Sequence, residues 1–127
     1  YAHTILRGST NKYGRSRPNY HYEDLMKLYD MYGERNLKNP ATIVDANHAN
    51  SDKQFKEQIR IVNEVLHSRS LSNDIRSLVK GVMIESYLVE GSQKIGCHPH
   101  IYGQSITDPC LGWEDSEKLL YEIAEKC

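Results

Sequence analysis

Three side chains of the kind that hold a divalent cation stand far apart in this chain: His48, Glu85 and Asp108. One imidazole and two carboxylates form a donor set of borderline to hard character, suited to Mn²⁺, Fe²⁺ or Co²⁺. Their spacing is not a local metal motif, so they act together only if the fold brings them together. Each also has an ordinary role open to it. A histidine can cap a turn or fill a core, and a carboxylate closing an apolar run must be paired, ligated or solvated. Asp108, before Pro109, suits a plain turn. Arg7, before Gly8, carries a planar guanidinium fork that matches phosphate oxygens; a strand-end salt bridge is its alternative. Lys12, Arg15 and Arg17 add a basic stretch that reads as a solvated loop. Cys97, His98 and His100 crowd around Pro99 with no second cluster to complete a metal site, and read as an exposed loop.

Short apolar runs must position these residues. His3 to Arg7, Ala41 to Asp45, and Val82 to Ser86 (opened by Gly81) each read as a buried strand. The strand ends deliver Arg7, then Asp45 with His48 just beyond, then Glu85. From Tyr20, the residues Leu25, Leu28, Tyr29 and Tyr32 recur at helical spacing, with Asn19 as cap and Gly33 as stop. Ser51 and Gln54 fit a capping box ahead of Phe55, Ile59, Val62 and Leu66 on one helix face. The polar stretch from Ser68 to Asp74 breaks that helix. A long loop is expected from Val89 to Asp115, and Leu119, Leu120 and Ile123 mark a final helix. The order is β-α-β-α-β-loop-α. Strands that are apolar throughout predict a parallel sheet covered by helices. Such folds hold ligands at the carboxyl ends of their strands, so these strand ends are expected to converge.

The 127 residues suit one domain or part of a larger one. With 39% hydrophobic and 26% charged residues and a net charge of −1, the composition excludes a disordered tail and gives no electrostatic footprint for nucleic acid. No apolar run is long enough to span a membrane, and no signal peptide or lipidation motif is visible. Cys97, Cys110 and Cys127 are odd in number and widely spaced, unlike a disulfide framework. That predicts a reduced, cytoplasmic setting. The chain opens at Tyr1 and passes at once into a strand-like run, as a cut product or expressed fragment would.

Longer motifs carry a family resemblance. Ala2 to Gly8 (AHTILRG) resembles an HVILRGG segment, and Pro18-Asn19-Tyr20 resembles the PNY that follows it. Asp45 to Ser51 (DANHANS), with Lys53 and Gln54, is similar to DxSHANSxKQ. Gly81 to Gly91 (GVMIESYLVEG), followed by Ser92 and Gln93, is similar to GVMxESxLxEGxQ. Tyr102 to Asp108 (YGQSITD), with Cys110, Gly112 and Trp113 to Asp115, is similar to YGxSITDxCxGWxDT. In this order and almost end to end, the chain resembles the type I DAHP (3-deoxy-arabino-heptulosonate 7-phosphate) synthases.

The resemblance implies an α/β fold, a partial (β/α)₈ TIM barrel made of the last three βα units, strands six to eight. Residues 1–127 would be the C-terminal part of the barrel domain. It implies a metal-dependent, aldol-type transferase that joins phosphoenolpyruvate to erythrose 4-phosphate and water and releases phosphate. That is the first step of the shikimate pathway to aromatic amino acids. On this resemblance His48, Glu85 and Asp108 are three of four metal ligands, with His48 and Asp108 also catalytic. Arg7 holds the phosphate of phosphoenolpyruvate. The expected partners are these two substrates and further copies in a homo-oligomer, with no nucleic acid and no membrane. The family's fourth ligand is a Cys in a GPCS-like segment of the first strand. Neither that segment nor a KPRT-like one stands in these residues, so the chain alone is expected to be inactive. The alternative is a non-catalytic scaffold or interaction module derived from the synthase, against which the intact His48, Glu85 and Asp108 set argues. Three departures stand out. Asn47 replaces the usual Ser beside His48, Ser9 replaces a second Gly, and the loop from Thr10 to Arg17 is longer than the common form.

Overall fold

The computed structural model describes residues 1–96 and 99–127. The chain runs through β1 (Thr4–Leu6), β2 (Ser9–Thr10), β3 (Ser16–Arg17), α1 (Tyr22–Glu34) and β4 (Thr42–Asp45) to a 3-10 turn at His48–Asn50. It continues through α2 (Glu57–Leu71), α3 (Asn73–Leu78), β5 (Val79–Met83), β6 (Val89–Ser92), β7 (Gln104–Ser105) and α4 (Trp113–Lys126). Strands β1, β4 and β5 form a three-stranded sheet in that order, and both pairings are parallel, as the apolar runs predict.

Side chains alternate across a strand, so register decides which residues meet the helices. Leu6, Val44 and Val82 stand side by side across the sheet. Val44 belongs to a core shared with Leu25 of α1, Ile61, Val62 and Val65 of α2, Ile75 of α3 and Leu119 of α4, and Leu6 and Val82 pack against it. The next residues along, Ile5 and Met83, point the other way and remain 48% and 42% exposed. Apolar runs throughout the strands predict cover on both faces; among the described residues only one face carries the core.

Several boundaries differ from the sequence reading, each for a local reason. Asn19 does not cap α1. Its Oδ1 accepts the Gly8 N–H (2.8 Å) and its own N–H donates to Asn50 Oδ1 (2.9 Å). The residue before α1 is His21, whose N–H donates to Asp24 Oδ2 (3.1 Å). Helix α2 starts at Glu57 rather than after Ser51. Asp52 and Lys53 have φ of 53° and 58°, which no right-handed helix accommodates, and the Ser51 hydroxyl donates to Asn47 Oδ1 (2.7 Å) instead of capping. The expected break from Ser68 to Asp74 is mostly helical. Helix α2 extends to Leu71 with Ser68 buried, and the Ser72 hydroxyl caps α3 by accepting the Ile75 N–H (3.3 Å). Helix α3 hands the chain to β5 at Val79, so the third strand begins before Val82 and ends before Glu85. Short strand pairs occupy both expected loops, antiparallel β2–β3 and parallel β6–β7. Cys97 and His98 of the Cys-His-Pro-His run lie outside the described residues. No helix among the described residues is long and apolar enough to cross a membrane.

One glycine is fixed by both conformation and space. Gly8 has φ +74°, and a Cβ there would lie 2.9 Å from the backbone of Ala49, Arg17 and Asn50. Gly8→Ala is expected to cost at least ~2 kcal/mol, combining left-handed strain with overpacking. A urea midpoint unchanged from the parent chain would refute that close approach.

Candidate functional site

The site is built outward from the end of β4. Asp45 closes the strand at 2% exposure, and its two oxygens are both engaged. Oδ1 accepts the Asn47 N–H (2.8 Å), and Oδ2 lies 2.7 Å from His48 Nδ1. A carboxylate only accepts, so a neutral His48 ring carries its proton on Nδ1 and keeps its lone pair on Nε2. His48 has φ 43°, an uncommon conformation for a residue with a Cβ, and it is held there by the tight 3-10 turn.

His48 Nε2 lies 3.3 Å from Glu85 Oε1 and 3.9 Å from Asp108 Oδ2. One donor atom from each of the three residues falls within 4.8 Å of the others. Glu85 follows β5, and Asp108 lies between β7 and α4. The three residues therefore meet beyond the carboxyl ends of parallel strands, as the strand-end reading expects. Three electron-pair donors facing one point can hold a cation between them. One imidazole and two carboxylates fit a divalent ion in charge and in donor type.

Supporting residues fix these groups. Gln58 of α2 is fully buried and clasps the backbone of Glu85: its Oε1 accepts the Glu85 N–H (2.8 Å), and its Nε2 donates to the Glu85 carbonyl (3.0 Å). Asn47 Nδ2 donates to Glu85 Oε2 (2.8 Å). Lys53 Nζ lies 3.4 Å from Asp108 Oδ1. Asn50 ties two strand ends together, its Nδ2 donating to the carbonyls of Leu6 (3.0 Å) and Asp45 (2.8 Å).

A cleft of about 610 Å³ opens beside the cluster, lined among others by Arg7, Ser9, Ser16, His48, Lys53 and Asp108. Arg7 is thus on the same cleft as His48 and Asp108, with its side chain at the surface. The β2–β3 hairpin forms one wall and is tied to the turn after His48 by the Ser16 hydroxyl, which donates to Asp52 Oδ1 (2.6 Å).

The sequence reading named Arg7, His48, Glu85 and Asp108, and the structure gathers them at one end of the sheet. It missed Gln58, Asn47 and Lys53 as partners of these groups, and named Asp45 only as a strand end. Gln58 had a signal, since it sits in the apolar stripe with Ile61, Val62 and Val65 at helical spacing. Cys110 is buried, its thiol donates to the Asp108 carbonyl (3.3 Å), and burial pushes its pKa up. Among the described residues no cysteine joins the group of three.

Comparison with known proteins identifies relatives of this chain. The model of the DAHP synthetase I family matches residues 2–121. The chain is 40% identical over 125 residues to the Trp-sensitive phospho-2-dehydro-3-deoxyheptonate aldolase of Escherichia coli, covering 98% of this chain and 33% of that protein. It is 41% identical over 124 residues to the phospho-2-dehydro-3-deoxyheptonate aldolase of Haemophilus influenzae, covering 97% and 32%. The solved phospho-2-dehydro-3-deoxyheptonate aldolase of Francisella tularensis superposes with a TM-score of 0.82 at 35% identity, over 96% of this chain and 33% of that one. The chain spans about a third of the length of the curated relatives it matches. A family match over nearly all of its residues, with a parallel α/β fold like that of the solved relative, establishes that the chain belongs to the DAHP synthetase I family.

Proposed function

We propose that this chain forms the last three βα units of a (β/α)₈ barrel, residues 1–127 being the C-terminal part of that domain. With the rest of the barrel it makes a cytoplasmic, metal-dependent transferase. The reaction condenses phosphoenolpyruvate with erythrose 4-phosphate and water to give 3-deoxy-arabino-heptulosonate 7-phosphate and phosphate, the entry step of the shikimate route. The observation that carries this reading is the meeting of His48, Glu85 and Asp108 beyond the ends of parallel strands, where such barrels hold their sites. The open sheet face with Ile5 and Met83 supports a further layer of protein on that side.

His48, Glu85 and Asp108 would hold the divalent ion, Mn²⁺, Fe²⁺ or Co²⁺ by donor type. When bound, the ion supplies Lewis acidity toward the aldehyde oxygen of the sugar phosphate. Asp45 keeps the His48 ring turned so that Nε2 faces the two carboxylates. Arg7 counters the phosphate charge of phosphoenolpyruvate and orients its enol carbon toward the aldehyde. Attack of the enol carbon on the aldehyde leaves a cationic carbon. Water adds to it and gives its proton to Asp108 on the cleft wall, and the carbon–oxygen bond to phosphate then breaks to leave the ketone and inorganic phosphate. Chain groups outside these residues supply the remaining ligand and cations, so the chain alone is read as inactive.

The test of the site is a Mn²⁺ titration of the chain. One saturable site is expected, weakened at least about tenfold by each of His48→Ala, Glu85→Gln and Asp108→Asn, since even loss of a residue behind a ligand costs that much. Equal binding by all four proteins would remove this set as a metal centre.

Self-association belongs to the same reading. Strands β1 and β5 each have one neighbour in the sheet, and unpaired strand edges template pairing with other chains. The chain is expected to form a homo-oligomer, in its simplest closed form a symmetric dimer. Light scattering across a dilution series checks this. A monomeric mass at high concentration with cooperative unfolding would count against it.

A further inference from the structure

We propose that Asn47 is a positioning residue that decides how Glu85 meets a cation: with Oε2 held by the Asn47 amide, Glu85 offers Oε1 alone. The proposal rests on the metal-site reading above and goes beyond it, because it concerns which ions the site accepts. Asn47 is 1% exposed, and both ends of its amide are engaged. Nδ2 donates to Glu85 Oε2 (2.8 Å), and Oδ1 accepts the Ser51 hydroxyl (2.7 Å). A carboxylate only accepts, so the nitrogen must face Glu85, and the orientation of the amide is fixed by chemistry.

The backbone that carries Glu85 is held in place. Gln58 clasps its backbone N–H and carbonyl, and that side chain is itself fully buried. The free oxygen, Oε1, is the one that faces His48 Nε2. For both oxygens to bind one ion, the carboxylate would have to turn Oε2 toward it, which lengthens the bond from a buried N–H donor and competes with it for the same oxygen. Calcium takes many oxygen ligands and often both oxygens of a carboxylate, whereas smaller divalent ions accept single-oxygen carboxylates. Asn47 therefore disfavours Ca²⁺ relative to Mn²⁺.

The experiment follows free Mn²⁺ by electron paramagnetic resonance in the full 127-residue chain, with Ca²⁺ as competitor. The proteins are the parent chain, Asn47→Ser, Asn47→Ala and His48→Ala. The parent is expected to prefer Mn²⁺, and the preference is expected to fall at least about tenfold in the folded Asn47 variants, the usual cost of losing a group behind a ligand. A ratio of affinities is insensitive to a loss of stability that affects both ions alike. An unchanged ratio, with binding lost in His48→Ala, would overturn the role of Asn47 and leave the metal centre standing. Equal Mn²⁺ binding by the parent and His48→Ala would overturn the centre, and the proposal with it. A metal-free measurement stands apart from folding of the Asn47 variants. The side-chain amide resonances of Asn47 are expected to move in Glu85→Ala, and coincident spectra would also overturn the contact.

Discussion

Mixed with a polypeptide carrying the remaining two thirds of a relative, this chain is expected to release phosphate from phosphoenolpyruvate when erythrose 4-phosphate and Mn²⁺ are present. Alone it is expected to release none. The chain matches only 33% of its Escherichia coli relative, yet it brings together an imidazole, two carboxylates and a cleft-lining arginine. A metal-assisted step draws several kcal/mol from charge stabilisation, and each 1.36 kcal/mol is about a factor of ten in rate. Glu85→Ala in the mixture should therefore lower the rate at least about a hundredfold. Turnover by the single chain near that of a complete enzyme would refute the division of labour. A stable complex that stays inactive would favour the scaffold reading over the enzyme reading.

The second large effect is on stability. Gln58→Leu keeps the volume of a fully buried side chain but leaves the Glu85 N–H without its partner, while the Glu85 carbonyl keeps the Leu111 N–H (3.0 Å). An unsatisfied buried N–H costs about 1–3 kcal/mol, so the variant is expected to lose that much in chemical denaturation. The same change frees the stretch that carries Glu85, so Mn²⁺ affinity should fall with it. A loss under about 1 kcal/mol would mean that water replaces the amide at this strand end.

The residues that make these effects were not equally visible in the sequence. The central strand was, because Ala41 to Asp45 is apolar up to a single closing carboxylate and the observed strand is Thr42–Asp45. The third strand was misplaced because Lys80, exposed as the second residue of β5, interrupts the apolar run and makes it seem to start later. The start of α2 was misplaced because Ser51 looks like a helix cap in isolation, while its hydroxyl is committed to Asn47 and the two residues after it, Asp52 and Lys53, are left-handed. The chemistry was legible where residue type was enough. His48, Glu85, Asp108 and Arg7 are conspicuous at or near strand ends. The amides that hold them were not, since a buried Gln or Asn differs from an exposed one only through partners distant in sequence, such as Gln58 with Glu85.

The parallel sheet is laid down in chain order, β1 beside β4 beside β5, and the three donor residues follow the same order along the chain. During synthesis the amino end emerges first and folds first. His48 thus leaves the ribosome before Glu85, and Asp108 follows only shortly before α4. A nascent chain halted before Asp108 has at most two of the three donors and no firm grip on an ion. On the proposed metal site, capture of the ion would mark completion of the last loop, and a metal-sensitive signal on stalled chains would time the final stage of biogenesis.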